Sequence, residues 1–254
     1  MKMRVDKMIG NANLDTRKNI KRNAKKGELI INGQIIKDSS VKVDPNLDEV
    51  IYMGELVDYF DNIYIMMNKR EGLICQSNEL DGTVMSDLDE FYLNLDLAIA
   101  GRLDKDTTGL LLLSTDGKFI HKVISPNSNI WKKYEVETSK KIDPSLVEIF
   151  EDGVYIKEDD YYARSAKLDI IGEKKAYVYV TEGKFHLVKR LFSNNDNEVI
   201  KLKRLAIGEL ELDQTLNPGQ YRELSEEEKN YLKTINTLIQ DKKCVKEIVC
   251  TKII

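Results

Sequence analysis

The chain is short of the residues that hold metals and disulfides. Its three cysteines, Cys75, Cys244 and Cys250, are an odd number with no C-x-x-C spacing. No disulfide framework is therefore expected, and a reducing compartment suits the protein. Only two histidines, His121 and His186, stand beside them, so a zinc site would find few ligands. No apolar run approaches the roughly 18–20 residues that span a bilayer. Met1-Lys2-Met3-Arg4-Val5-Asp6 is not followed by the apolar core of a signal peptide. There is no glycine-rich phosphate loop, nucleotide-binding motif, internal repeat or low-complexity segment. These absences predict a cytoplasmic protein that works away from membranes and needs neither metal nor cofactor.

What the chain does have is charge, unevenly placed. Its 254 residues are enough for two domains with proper cores. A composition of 32% charged and 42% hydrophobic residues is that of a soluble globular protein. The net charge of −4 counts against a nucleic-acid partner unless the cations are segregated, and they are. Asp15-Thr16 offers an N-cap and Gly27 a stop for a helix over Arg17 to Lys26. On it Arg17, Lys18, Lys21, Arg22, Lys25 and Lys26 are basic with no acid between them, and Ile20 and Ala24 fall on the opposite half. Six cations without counter-charges repel one another, so a polyanionic partner explains them better than a solvated face. Asn32-Gly33 between two apolar runs predicts a hairpin, and Val41, Val43 and Val50-Ile51-Tyr52 continue as strands. Residues 1–58 thus read as a small module, with Asp58 to Asn62 as a short linker.

The chain is organised around Gly101-Arg102-Leu103-Asp104-Lys105-Asp106-Thr107-Thr108-Gly109, which runs into Leu110-Leu111-Leu112-Leu113. Four leucines before an Asp116-Gly117 turn predict a strand buried on both faces. A carboxylate just ahead of such a strand must be held by a cation or point into a cleft, because an unpaired charge at a core edge is expensive. Trp131 to Glu137 and Ala176 to Val180 alternate like antiparallel strands. Lys184-Phe185-His186-Leu187-Val188-Lys189-Arg190-Leu191-Phe192 has a basic and an apolar face. Ser225-Glu226-Glu227-Glu228 opens a helix with a capping box, running to about Gln240. Nothing in the sequence accounts for a tail over 241–254.

Together these segments resemble the pseudouridine synthases, in particular the ribosomal small-subunit pseudouridine synthase A family, with an N-terminal S4 RNA-binding domain. R-L-D at 102–104 resembles the catalytic motif. Asn68-Lys69-Arg70-Glu71-Gly72 looks like the family's N-K-P-x-G, with Arg70 in place of proline, so that turn should be less rigid. Lys132-Lys133-Tyr134 resembles K-x-Y. Gly183 to Phe192 resembles the family's basic block, with Lys184 for Arg and Leu187 for Gln. Arg204-Leu205-Ala206-Ile207-Gly208 and Leu216 to Leu224 resemble R-x-x-I-G and L-x-P-G-x-Y-R-x-L.

The resemblance implies an α+β protein: an S4-like RNA-binding domain at 1–58, then a catalytic domain at 62–240 with a mixed, mostly antiparallel sheet and flanking helices. It implies an isomerase that turns a uridine of ribosomal RNA into pseudouridine. The substrate favoured is 16S RNA within a small-subunit assembly intermediate, with the position-516 type of synthase the nearest match. A 23S synthase and a non-catalytic S4-type assembly factor are the alternatives. No cofactor is implied, and a monomer is expected. By the same resemblance Asp104 is the nucleophile or base, Tyr134 stacks on the uracil, and Lys189 pairs with Asp104. Arg102 would enter the base stack, Lys105 and Arg190 would touch phosphate, and His186 belongs to the RNA-facing block. Arg17, Lys18, Lys21, Arg22 and Lys25 would grip RNA backbone.

Overall fold

A computed structural model of the chain describes residues 2–12, 14–57, 62–125 and 128–239. All of the expected linker but Asn62, together with Pro126, Asn127, Gln240 and the tail over 241–254 with Cys244 and Cys250, lies outside the described residues. The chain divides into two compact units, Met1–Ile63 with Glu90–Asp96, and Tyr64–Asp89 with Leu97–Ile254.

The first unit contains β1 (Met3–Arg4), α1 (Val5–Asn11), α2 (Arg17–Lys25), β2 (Leu29–Ile31), β3 (Gln34–Ile35), β4 (Lys42–Val43), β5 (Val50–Tyr52) and β6 (Glu55–Leu56). The four strands β3-β2-β5-β6 form one antiparallel sheet, and β1 pairs with β4. Thr16 caps α2 by accepting the Asn19 amide at 3.4 Å, and Gly27, at φ +90°, ends it. The hairpin falls where the sequence puts it, with Asn32 and Gly33 both at positive φ. Ile20, Asn23 and Ala24 bury one side of α2 against Val5, Met8, Ile9 and Leu29. The opposite side is left to Arg17, Lys18, Lys21, Arg22, Lys25 and Lys26, all exposed.

In the second unit the elements are β7 (Tyr64–Lys69), β8 (Ala98–Ile99), β9 (Thr108–Ser114), α4 (Gly117–Ile124), β10 (Lys132–Thr138), α5 (Leu146–Asp152), β11 (Tyr155–Ile156), β12 (Tyr161–Tyr162), β13 (Lys167–Gly172), β14 (Lys175–Val180), α6 (Leu187–Ser193), β15 (Val199–Ile207), β16 (Leu210–Glu211), β17 (Tyr221–Glu223) and α7 (Glu226–Ile239). A short helix, α3 (Glu90–Leu93), lies in the segment that groups with the first unit. The main sheet runs β13-β14-β10-β15-β9-β7-β17, with β16 on β15 and β8 on β9. Every pairing in it is antiparallel except one. Between β15 and β9 the strands run parallel for two residue pairs, Lys203 with Thr108 and Arg204 with Gly109. That seam joins two antiparallel halves.

The leucine run behaves as its composition demands. Leu110, Leu111, Leu112 and Leu113 are all fully buried. Leu110 and Leu112 join the cluster of Phe119, Ile120 and Val123 from α4, with Tyr64 edge-on to Phe119 at 5.1 Å. At α7 the capping box is complete: Ser225 Oγ accepts the Glu228 amide at 3.2 Å, and Glu228 accepts the Ser225 amide at 2.8 Å. Among the described residues no helix is long and apolar enough to cross a membrane.

Candidate active site

The loop 101–107 arrives at β9 in a conformation that its own residues cannot hold alone. Gly101 supplies a positive φ of +80°, and Thr107 closes a turn onto the Asp104 carbonyl at 3.1 Å. The rest of the hold comes from Lys69 at the end of β7, whose side chain is fully buried. Its ammonium donates to the carbonyls of Arg70 (3.2 Å), Asp104 (3.0 Å), Lys105 (3.3 Å) and Thr107 (2.8 Å). Burial pulls the Lys69 pKa down, with partial opposition from Cys75, Asp106 and Asp104. The Gly72 amide adds a bond to Lys105 O at 2.8 Å, and the Leu103 amide donates to Cys75 Sγ at 3.3 Å. Arg70, which stands where a proline would fix the turn, is held instead through its side chain. Its guanidinium grips Asp87 with three contacts of 3.0–3.1 Å.

This scaffold presents Asp104 to a cleft of about 130 Å³. His186 Nε2 lies 3.4 Å from one carboxylate oxygen and Lys189 Nζ 3.4 Å from the other, and the Asp104 side chain is about a quarter exposed. Lys189 is therefore beside Asp104, but its shorter bonds, 2.6 and 2.8 Å, go to Asp106. The cation expected beside Asp104 is thus shared with Asp106. Its hydrogen bond holds the Asp106 carboxyl below the usual range. His186 enters by an unusual backbone, left-handed at φ +52° at the head of α6, and stacks on Phe185 with ring centroids 3.7 Å apart. A β-carbon in that region is strained unless its surroundings hold it. Phe185 itself is exposed.

The floor of the cleft is the face of the sheet beside the seam. On β10 the alternation is strict, so Lys132, Tyr134, Val136 and Thr138 share the buried side. Tyr134 lies opposite Val178 on β14 and Arg204 on β15, and its ring is buried. Leu187 is also buried and lines the cleft, so an apolar wall stands where a glutamine side chain would reach.

Of the residues singled out from sequence, Arg102, Asp104, Tyr134 and His186 line the cleft, and Lys189 adjoins it. Arg190 is ion-paired with Asp159 at 2.5 Å. Lys105 contributes its carbonyl to the loop and leaves its side chain exposed outside the cleft lining. Arg17, Lys18, Lys21, Arg22 and Lys25 belong to the other unit. Three residues were given no role from sequence: Lys69, Lys132 and Arg204. Each lies in a strand, where a lone lysine or arginine reads as a surface residue. Among the described residues no group of three His, Cys, Asp or Glu side chains could hold a metal ion.

Asp104 thus stands between a histidine and a lysine at a cleft with a buried aromatic residue in its floor, an arrangement that suits an enzyme working on a base taken out of its stack. The comparisons say which one. Residues 63–238 match the family model described as RNA pseudouridylate synthase, so the chain belongs to that family, the enzymes that isomerise uridine in RNA to pseudouridine. An uncharacterised RNA pseudouridine synthase of Bacillus subtilis, YtzG, is 41% identical over 91% of this chain and 98% of its own length. The ribosomal small subunit pseudouridine synthase A of Vibrio cholerae is 37% identical, over 89% and 97%. A crystal structure of a pseudouridylate synthase superposes with a TM-score of 0.65 at 33% identity, covering 91% of this chain and 99% of that one.

Proposed function

We propose that the enzyme converts one uridine of 16S ribosomal RNA to pseudouridine, acting in the cytoplasm as a monomer on a small-subunit assembly intermediate. The observation that carries this is the span of the likeness. Relatives named for the ribosomal small subunit match nearly their whole length, including the region of the first unit. That unit is read as an S4-type RNA-binding module, its exposed basic helix α2 taking the RNA backbone. No ion pair engages the α2 cations Arg17, Lys18, Lys21, Arg22 and Lys25 among the described residues.

In the reaction the target nucleotide leaves its stack and its uracil lies against Tyr134. Asp104 is the nucleophile or base, held ready by the loop that Lys69 organises. His186 and Lys189 stand 3.4 Å from its two oxygens, one beside each. Arg102, exposed at the cleft, is placed to fill the space that the extruded base vacates. The test is to incubate the enzyme with 16S and 23S transcripts and partial particles, then map pseudouridine by carbodiimide-dependent reverse-transcription stops. One stop in 16S RNA is expected. A stop in 23S RNA alone would leave the chemistry standing and end the 16S assignment.

A further inference from the structure

Two cations are buried in the catalytic cleft, and among the described residues neither is ion-paired with a carboxylate. Arg204 is 2% exposed and Lys132 8% exposed. Arg204 Nε donates to Leu110 O at 2.7 Å, but its Nη2 is buried with no hydrogen-bond partner among the described residues. Lys132 Nζ donates to Ile130 O at 3.1 Å and Thr181 O at 3.2 Å, which leaves one of its three protons over. Burial, and then the repulsion of Arg204, push the Lys132 pKa down to about 8. A third polar atom in the same wall, Thr107 Oγ1, is also buried and unpartnered.

Such an arrangement is costly for the folded state. Each charge has lost its water, and the two repel. The chain nevertheless builds backbone around it. A β-carbon on Gly109 would lie 2.3 Å from the Arg204 carbonyl oxygen, so β9 and β15 close on each other at Arg204 only because that position is glycine. Unspent buried donors in this aromatic-floored cleft call for a ligand with acceptor oxygens that can carry negative charge. A phosphodiester would have to leave water and enter past Leu103, Leu187 and Val188. The exposed Arg102 serves it better. A uracil ring fits instead, since it is flat and apolar on its faces and has carbonyl oxygens at its edge.

We propose that Arg204 and Lys132 take the carbonyl oxygens of the target uracil and hold the negative charge it acquires during the reaction. When the C1′–N1 bond breaks, its electron pair stays on the ring, spread over N1 and the carbonyl oxygens. The charge is discharged when C5 bonds to C1′, the C5 proton leaves and N1 takes up a proton, so the isomer has the atoms it began with. Preorganised donors aimed at such a transient charge are worth more in a dry site than in water. The inference rests on the family's reaction, not on which RNA is modified.

The experiment uses the full chain, with Arg204→Met and Lys132→Met, and Arg204→Lys and Lys132→Arg as charge-keeping controls. On the transcript that the wild type modifies, each Met variant should lose about 10²–10³-fold in single-turnover rate, the scale of one missing oxyanion donor. Affinity for that RNA should stay within about threefold, and the Lys and Arg controls should recover most of the rate. Removing an unbalanced buried charge should leave the melting temperature unchanged or higher. Met variants that melt lower and lose rate in proportion would make the pair structural. With an abasic ribose at the target, wild type and Met variants should bind equally. Weaker binding of abasic RNA by the variants would assign the pair to phosphate and overturn the proposal. Should the wild type modify no ribosomal RNA, the substrate reading fails while the melting comparison still decides the cost of the pair.

Discussion

Asp104 and Lys189 carry opposite charges 3.4 Å apart, yet Lys189 makes its short bonds to Asp106. A lysine shared in this way can stay near the reacting carboxylate without being consumed by it. Asp104→Asn keeps the shape and removes the charge, so the turnover rate should fall by several orders of magnitude. RNA affinity should change by no more than a few-fold, and substantial turnover by the pure variant would falsify the assignment. Lys132 gives a second test through stability. Its folded pKa of about 8 lies below the ordinary 10.5, so between those values the unfolded chain holds a proton that the folded one does not. By linkage that group makes the protein more stable as pH rises through the window. Lys132→Met should remove this rise. Urea titrations near pH 7.5 and pH 9.5 should therefore show the variant's advantage at the lower pH shrinking at the higher, and a pH-independent difference would refute it.

One of the two residue pairs that join β9 to β15 has a glycine in it. At Gly109 φ is +100°, and an added β-carbon would strike the Arg204 carbonyl at 2.3 Å and its amide nitrogen at 2.9 Å. Both the backbone conformation and the space exclude a side chain. Gly109→Ala should cost on the order of 3 kcal/mol, read as an earlier urea midpoint with an unchanged slope. A midpoint within error of wild type would mean that the seam can yield. Much at this scale was legible in the sequence. The leucine run, the alternation of β10 and β14, the Asn32-Gly33 hairpin and the capping box at Ser225 each rest on neighbouring residues. The short strands β8, β16 and β17 were not legible, because two or three residues carry no period. Nor were the partners of Arg190 and Arg70, since Asp159 and Asp87 are far from them in sequence. Lys69, Lys132 and Arg204 escaped for a related reason: a lysine or arginine in a strand reads as a surface residue unless the surrounding fold is known.

At the scale of the molecule, the cleft and the basic helix α2 fall in different units. Replacing Lys18, Lys21, Arg22 and Lys25 of α2 by Gln should therefore weaken RNA binding and flatten its salt dependence. The log–log slope should drop by roughly 0.7–0.9 for each phosphate that no longer meets a cation. The single-turnover rate at saturating enzyme should hold, and an unchanged slope would reduce the helix to a solvated face. The parallel seam has a consequence in time. Asp104 and Lys69 lie in the first half of the chain, whereas His186, Lys189 and Arg204 come from the second. Pairings between distant segments form late, after the entropy of closing a long loop has been met. A chain still emerging from the ribosome would thus carry its reactive carboxylate well before it had a cleft to serve. Until the second half of the chain is made, that carboxylate has no cleft in which to act.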